Sequence, residues 1–209
     1  MKKYLVECIG MFLFVLTVGM VVIDPGGAGP FAPLAIGCVL MVLVYAGGHV
    51  SGGHYNPAVT LAVWLRGRCR TADVPAYWVS QLLGAFAASY VVLYLKGNPT
   101  VTPQVIKVVP ALIAEFIGTF ALCYVVLNVA TAKATAGNSN YGLAIGFTVV
   151  VMAFALGGIS GGAFNPAIAT GIVLMHLEST SNFWIYLVGD FAAAALAAGA
   201  FKLINPEDK

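Results

Sequence analysis

The residue patterns in this chain that could do chemistry come in pairs. Asn56-Pro57-Ala58 follows Ser51-Gly52-Gly53, and Asn165-Pro166-Ala167 follows Ser160-Gly161-Gly162, at a common offset of 109 residues. Asn is a favoured helix N-cap and Pro a favoured first helical residue, so each triplet starts a helix on local chemistry alone. If each Asn caps its own helix through its carbonyl oxygen, its NH2 donors stay free to orient an oxygen acceptor. Such chemistry suits weak binding of a neutral hydrogen-bonding molecule rather than bond breaking. No nucleophile with a base beside it accompanies the triplets, so no catalytic residue is expected. Cys8, Cys38, Cys69 and Cys123 stand singly, outside any metal-ligand spacing, and read as buried reduced thiols. His49, His54 and His176 are too scattered for a metal site. Neither metal nor cofactor is expected.

Three acidic residues lie inside apolar runs, where an unpaired charge is expensive. Glu7 and Glu115 read as buried hydrogen-bond acceptors, with proton relay as the alternative, and Asp190 reads as a local cap or pair. Tyr4, Tyr77, Trp78, Phe183, Trp184 and Tyr186 fall near the ends of apolar runs, as interfacial anchors do.

The elements that must position these groups are membrane helices. With 60% hydrophobic residues, 9% charged residues and a mean hydropathy of +0.93, the composition lies outside the range of soluble domains. Apolar runs long enough to span occur near Tyr4–Ile23, Phe31–His49, Val74–Leu95, Val108–Ala130, Tyr141–Gly157 and Phe183–Ile204. The first has a Lys2-Lys3 flank but no small-residue cleavage motif, so it reads as a retained helix. Asn56–Leu65 and Asn165–Leu177 are too short to cross and read as re-entrant half-helices. Beyond the triplets, Leu34-Ala35-Ile36-Gly37 recurs as Leu143-Ala144-Ile145-Gly146, and Glu7-Cys8-Ile9-Gly10 echoes Glu115-Phe116-Ile117-Gly118. The chain is therefore one channel domain over 1–209 made of two repeats, about 1–98 and about 107–209. Each repeat has three spans, an odd number, so the repeats are inverted in the membrane. The expected fold is all-α, with six transmembrane helices and two half-helices.

Cytoplasmic termini would put Lys2, Lys3, Arg66, Arg68, Arg70, Lys133, Lys202 and Lys209 inside, against Lys96 and Lys107 outside. The net charge of +2 reflects these loops and implies no nucleic-acid partner. Non-helical backbone at membrane depth is tolerated only where protein buries it or where it lines a watery cavity. The Gly-rich approaches to each triplet are such backbone. Gly52, Gly53, His54 and Tyr55, with Gly161, Gly162, Ala163 and Phe164, are expected to line a pore with their carbonyls. The half-helix starts would meet near the midplane, where two positive dipole ends repel cations.

Two Asn-Pro-Ala loops, one per inverted repeat, each after Ser-Gly-Gly, with a glutamate early in the first and fourth spans, resemble the aquaporin or major intrinsic protein family. The resemblance covers nearly the whole chain. It implies a channel in the plasma membrane, assembled as a homotetramer in lipid with one pore per subunit. It also implies that Glu7 and Glu115 brace the re-entrant loops, and that His54 either faces the pore or braces its loop. Most members place an arginine right after the second motif, where this chain has Ile168. Carried over by position, the outer constriction would comprise Ile36, Ala153, Gly162 and Ile168. That apolar set matches neither the water-selective nor the glycerol-conducting pattern. The expected function is passive passage of water and small uncharged solutes of the glycerol, urea, ammonia or metalloid-hydroxide class. A water-selective channel is the alternative, and a coupled secondary transporter a remoter one.

Overall fold

A computed structural model describes residues 1–208; Lys209, counted above among the cytoplasmic cations, lies outside the described residues. Helices α1 (Lys2–Val22), α2 (Ala32–Ser51), α4 (Val74–Leu95), α5 (Val108–Val126), α6 (Tyr141–Ser160) and α8 (Phe183–Ile204) are long and apolar enough to span a bilayer. Two short helices, α3 (Pro57–Leu65) and α7 (Pro166–Leu174), follow α2 and α6. Among the described residues there is no strand. Observed ends fall within a few residues of the expected ones. The main departure is a π-helical turn, Leu127–Thr131, that extends α5.

Each half repeats one packing scheme. Helix α1 lies along α4 as α5 lies along α8, and α2 crosses α6 between them. The crossing is close because both helices carry glycine there: a Cβ on Gly37 would meet the Gly146 carbonyl oxygen at 2.5 Å, and a Cβ on Gly146 would meet that of Gly37 at the same distance. Small residues that let backbones approach are the usual membrane solution, since lipid supplies no hydrophobic drive between helices. This explains the functionless-looking repeat Leu34–Gly37 and Leu143–Gly146. Large apolar side chains such as Leu83, Tyr90, Val151 and Phe154 point outward, forming the surface a bilayer would cover. Of the four thiols only Cys123 is buried; Cys8 on α1, Cys38 on α2 and Cys69 in the loop after α3 are half-buried.

Candidate pore site

Each re-entrant loop begins where a spanning helix breaks. Helices α2 and α6 end on Gly52 and Gly161 in the left-handed region, at φ 90° and 87°. Gly53 and Gly162 follow at 63° and 65°, and then come Tyr55 and Phe164 at 43° and 49°. Non-glycine residues seldom occupy this region, so something must hold the loop there. One hold is packing: the Tyr55 ring lies where a Cβ on Gly10 would be, and the Phe164 ring does the same at Gly118. The other is the glutamate. Glu7 accepts the Ser51 hydroxyl and His54 N–H through Oε1, and the Tyr55 N–H at 2.7 Å through Oε2. Glu115 accepts the Ser160 hydroxyl, the Ala163 N–H and the Phe164 N–H, the last at 2.7 Å. Both acids are fully buried.

Further support came from residues that sequence reasoning read otherwise. Tyr77 and Tyr186 are buried, and each donates its hydroxyl at 2.6 Å to the last carbonyl of the spanning helix before its re-entrant loop, that of Ser51 on α2 or Ser160 on α6. They are loop braces, not interfacial anchors, because the polar tip points to an orphan carbonyl at a helix end. The Gln81 amide donates to Glu7 at 2.8 Å, and Asp190 stands beside Glu115. Asp190 thus stands in the second half where Gln81 stands in the first. Tyr186 and Asp190 each follow their first-half equivalents by 109 residues, the offset of the Asn-Pro-Ala triplets, and that regularity could have exposed both pairs.

Asn56 and Asn165 cap their helices as local chemistry requires, accepting the N–H of Ala58 and of Ala167 at 2.7 and 2.9 Å. Their amide nitrogens are not wholly free. Asn56 Nδ2 donates to the Phe164 carbonyl at 2.9 Å and Asn165 Nδ2 to the Tyr55 carbonyl at 2.8 Å, so each cap is tied to the opposite loop. One N–H per amide remains for the lumen. Pro57 and Pro166, with Ala58 and Ala167, are buried in the first turns behind the caps.

Both asparagines line a cavity of about 200 Å³. Gly53, His54, Tyr55, Gly161, Gly162 and Ala163 line it as well. Among the described residues none donates to the carbonyls of Gly53, His54, Gly162 or Ala163, which leaves them as acceptors. Phe164 contributes its carbonyl to Asn56, while Gly52 borders a wider vestibule of about 870 Å³ on the face that holds both termini. Ile36, Gly162 and Ile168 line the smaller cavity, but Ala153 does not: α6 reaches it through Ile145 and Val149. His54 borders both spaces while its Nδ1 lies 3.1 Å from Thr60 Oγ1, so the facing and bracing roles coincide. His49 lines only the vestibule, and His176 is exposed on the other face.

Six spans, two half-helices that meet at their caps and a cavity lined by both caps define a membrane-embedded pore protein. The chain matches the major intrinsic protein family over residues 1–201 and belongs to it. It is an integral membrane protein of the aquaporin fold. Aquaporin NIP1-1 of Zea mays is 37% identical over 218 residues, covering 100% of this chain and 76% of the relative. Nodulin-26 of Glycine max is 38% identical over 187 residues, 86% of this chain and 67% of its own length. The X-ray structure of the aquaglyceroporin from Plasmodium falciparum superposes with a TM-score of 0.80 at 22% identity, covering 99% of this chain and 96% of that one.

Proposed function

We propose that this protein is a passive channel for water and small uncharged solutes, admitting solutes of glycerol or urea size as well as water. It is a channel and not an enzyme. One observation carries the reading: the caps of two half-helices meet, each tied to the other's loop, beside a cavity whose wall alternates free carbonyls with apolar side chains. A carbonyl ladder replaces part of a solute's hydration, the apolar side keeps binding weak, and two opposed helix N-termini repel protons and cations. A coupled carrier would place a coupling charge at the midplane, where this chain has only Asn56, Asn165 and their prolines and alanines. A single domain of two repeats, about 1–98 and about 107–209, accounts for the matched halves.

The narrow outer level is proposed to involve Ile36, Gly162 and Ile168, with Val149 serving from α6. Ile168 neither donates hydrogen bonds nor carries charge, so selection there rests on size and wetting. Lys3, Arg68, Arg70 and Lys133 ring the vestibule on the face of the termini, which supports a cytoplasmic placement of that face in a plasma membrane. The outward apolar belt suits lipid and three further copies of the chain in a homotetramer. The test is the glycerol-to-water permeability ratio in proteoliposomes, wild type against Ile168→Arg. Arginine is expected to lower glycerol flux at least severalfold, and a wild type that conducts only water, unaffected by the arginine, would overturn the broad-solute reading.

A further inference from the structure

The wall of the cavity contains no cationic side chain, but it contains one carboxylate. Glu178 follows α7 in the turn that leads into α8, is 3% exposed, and lines the same space as Asn165 and Ile168. Its Oε1 is occupied, accepting the Ser179 N–H at 2.6 Å and the Asn182 amide at 2.9 Å. Its Oε2 keeps spare capacity: its one partner is the Tyr186 hydroxyl at 3.0 Å, whose single proton is shared with the closer Ser160 carbonyl at 2.6 Å, so lone pairs of that oxygen remain for a solute. Gln104 lines the same end of the cavity. It is positioned by its backbone N–H, which donates to the Leu177 carbonyl at 3.0 Å, and by its Nε2, which reaches the Gly158 carbonyl at 3.3 Å. Among the described residues none donates to the Gln104 side-chain oxygen. The mouth away from the termini is thus rich in acceptors and, with Ile168 below it, poor in donors.

We propose that Glu178, with Gln104, forms a solute-capture site at this mouth that favours neutral solutes bearing several hydrogen-bond donors, such as polyols, N–H amides and hydroxy acids in their uncharged form. The inference rests on the channel reading above. A carboxylate accepts from hydroxyl and N–H groups more strongly than a neutral oxygen does, whereas a solute with acceptors alone finds no partner on it. The charge also gathers cations at the mouth. They find two helix N-termini further in, so a small cation should obstruct the pore rather than traverse it.

The experiment compares full-length wild type with Glu178→Gln in proteoliposomes, measuring urea flux against that of dimethyl sulfoxide, a solute of similar size without N–H or O–H donors. The urea preference of the wild type is expected to fall by roughly threefold to tenfold in the variant, the scale set by losing a charged hydrogen-bond partner. External guanidinium is expected to inhibit wild-type flux and spare the variant. Glu178→Gln keeps an oxygen for the Ser179 N–H, and a thermal melt reports whether the turn survives. Should it not, Gln104→Leu, which leaves the turn untouched, is expected to lower the same ratio. Wild-type flux with an unchanged ratio in a folded variant overturns the capture site and leaves the channel standing. A wild type no more permeable than empty vesicles overturns both.

Discussion

Glu7 and Glu115 hold their loops alike, yet the groups behind them differ in kind. In the first half Gln81 donates one N–H to Glu7 and reaches Thr60 at 3.1 Å, and Thr60 in turn meets His54 at the pore wall. In the second half the equivalent positions, 109 residues on, are Asp190, Ala169 and Ala163. Asp190 takes its hydroxyl from Thr119 on α5 instead, at 2.7 Å, and its Oδ2 is buried without a partner. A polar chain therefore runs from Glu7 to the lumen on one side only. On the other, the acid behind the loop is sealed by alanines. Duplication has kept the geometry of the loops, including their left-handed turns, while the chemistry that sustains it has been rebuilt from different residues.

The comparison is broken most severely by removing the acids. Glu7→Ala strips the acceptor from the N–H groups of His54 and Tyr55, from the Ser51 hydroxyl and from one N–H of the Gln81 amide, all buried, at about 1–3 kcal/mol for each group left unpaired. Glu115→Ala strips two N–H groups and the Ser160 hydroxyl. Both are expected to melt well below wild type in detergent, with Glu7→Ala the lower because one N–H of the Gln81 amide loses its acceptor as well. Wild-type melting with altered solute ratios would instead make the acids part of the conduction path.

Much of this was legible in the chain itself. The apolar runs announce six spans, and Asn-Pro announces each half-helix, because capping is decided by a few adjacent residues. The glutamates could be read as acceptors because an acid in an apolar run needs donors, and it was the family resemblance that pointed to the re-entrant loops as their source. What could not be read was which face of a helix a residue presents. Tyr77 and Tyr186 lie near span ends and pass for anchors until their hydroxyls are seen on the Ser51 and Ser160 carbonyls. The amide link from each Asn to the other loop depends on two chain segments meeting at depth, which no local pattern specifies. Ala153 shows the reverse failure, since counting back from Asn165 fixes a position in sequence but not which α6 side chains line the cavity, where Ile145 and Val149 do.

A milder change sharpens the comparison by exchanging the groups that differ. Asp190→Asn places an N–H donor where Gln81 has one and relieves the buried oxygen that has no partner, so a gain of about 1 kcal/mol is expected. The reciprocal Gln81→Glu faces Glu7 with a second acid and should cost more than that gain. Thermal melts of the two variants at neutral pH decide the matter: a stabilised Gln81→Glu or a strongly destabilised Asp190→Asn would mean that the halves are not supported in the way described.

The smallest effect is expected at the far ends of the half-helices. Helix α3 ends at Arg66, which is buried, stacks over Phe201 at 4.3 Å and binds Asp208 at 2.6 Å, whereas the corresponding end of α7 is the buried, uncharged Met175. A cation suits a helix C-terminus, and Asp208 offsets the charge that burial would otherwise strand. The Lys133 backbone N–H, and then Arg66, hold the Asp208 carboxyl below the usual carboxylate range. A carboxyl whose folded pKa is depressed contributes stability that is present above its unfolded value, about 3.9, and is lost as pH falls through the folded value. The melting difference between wild type and Asp208→Asn should accordingly be small and constant from pH 8 to about pH 5, then close as the solution is acidified further. A difference that grows on acidification, or one that changes between pH 8 and 6, would show that Asp208 is not the group holding Arg66 in place.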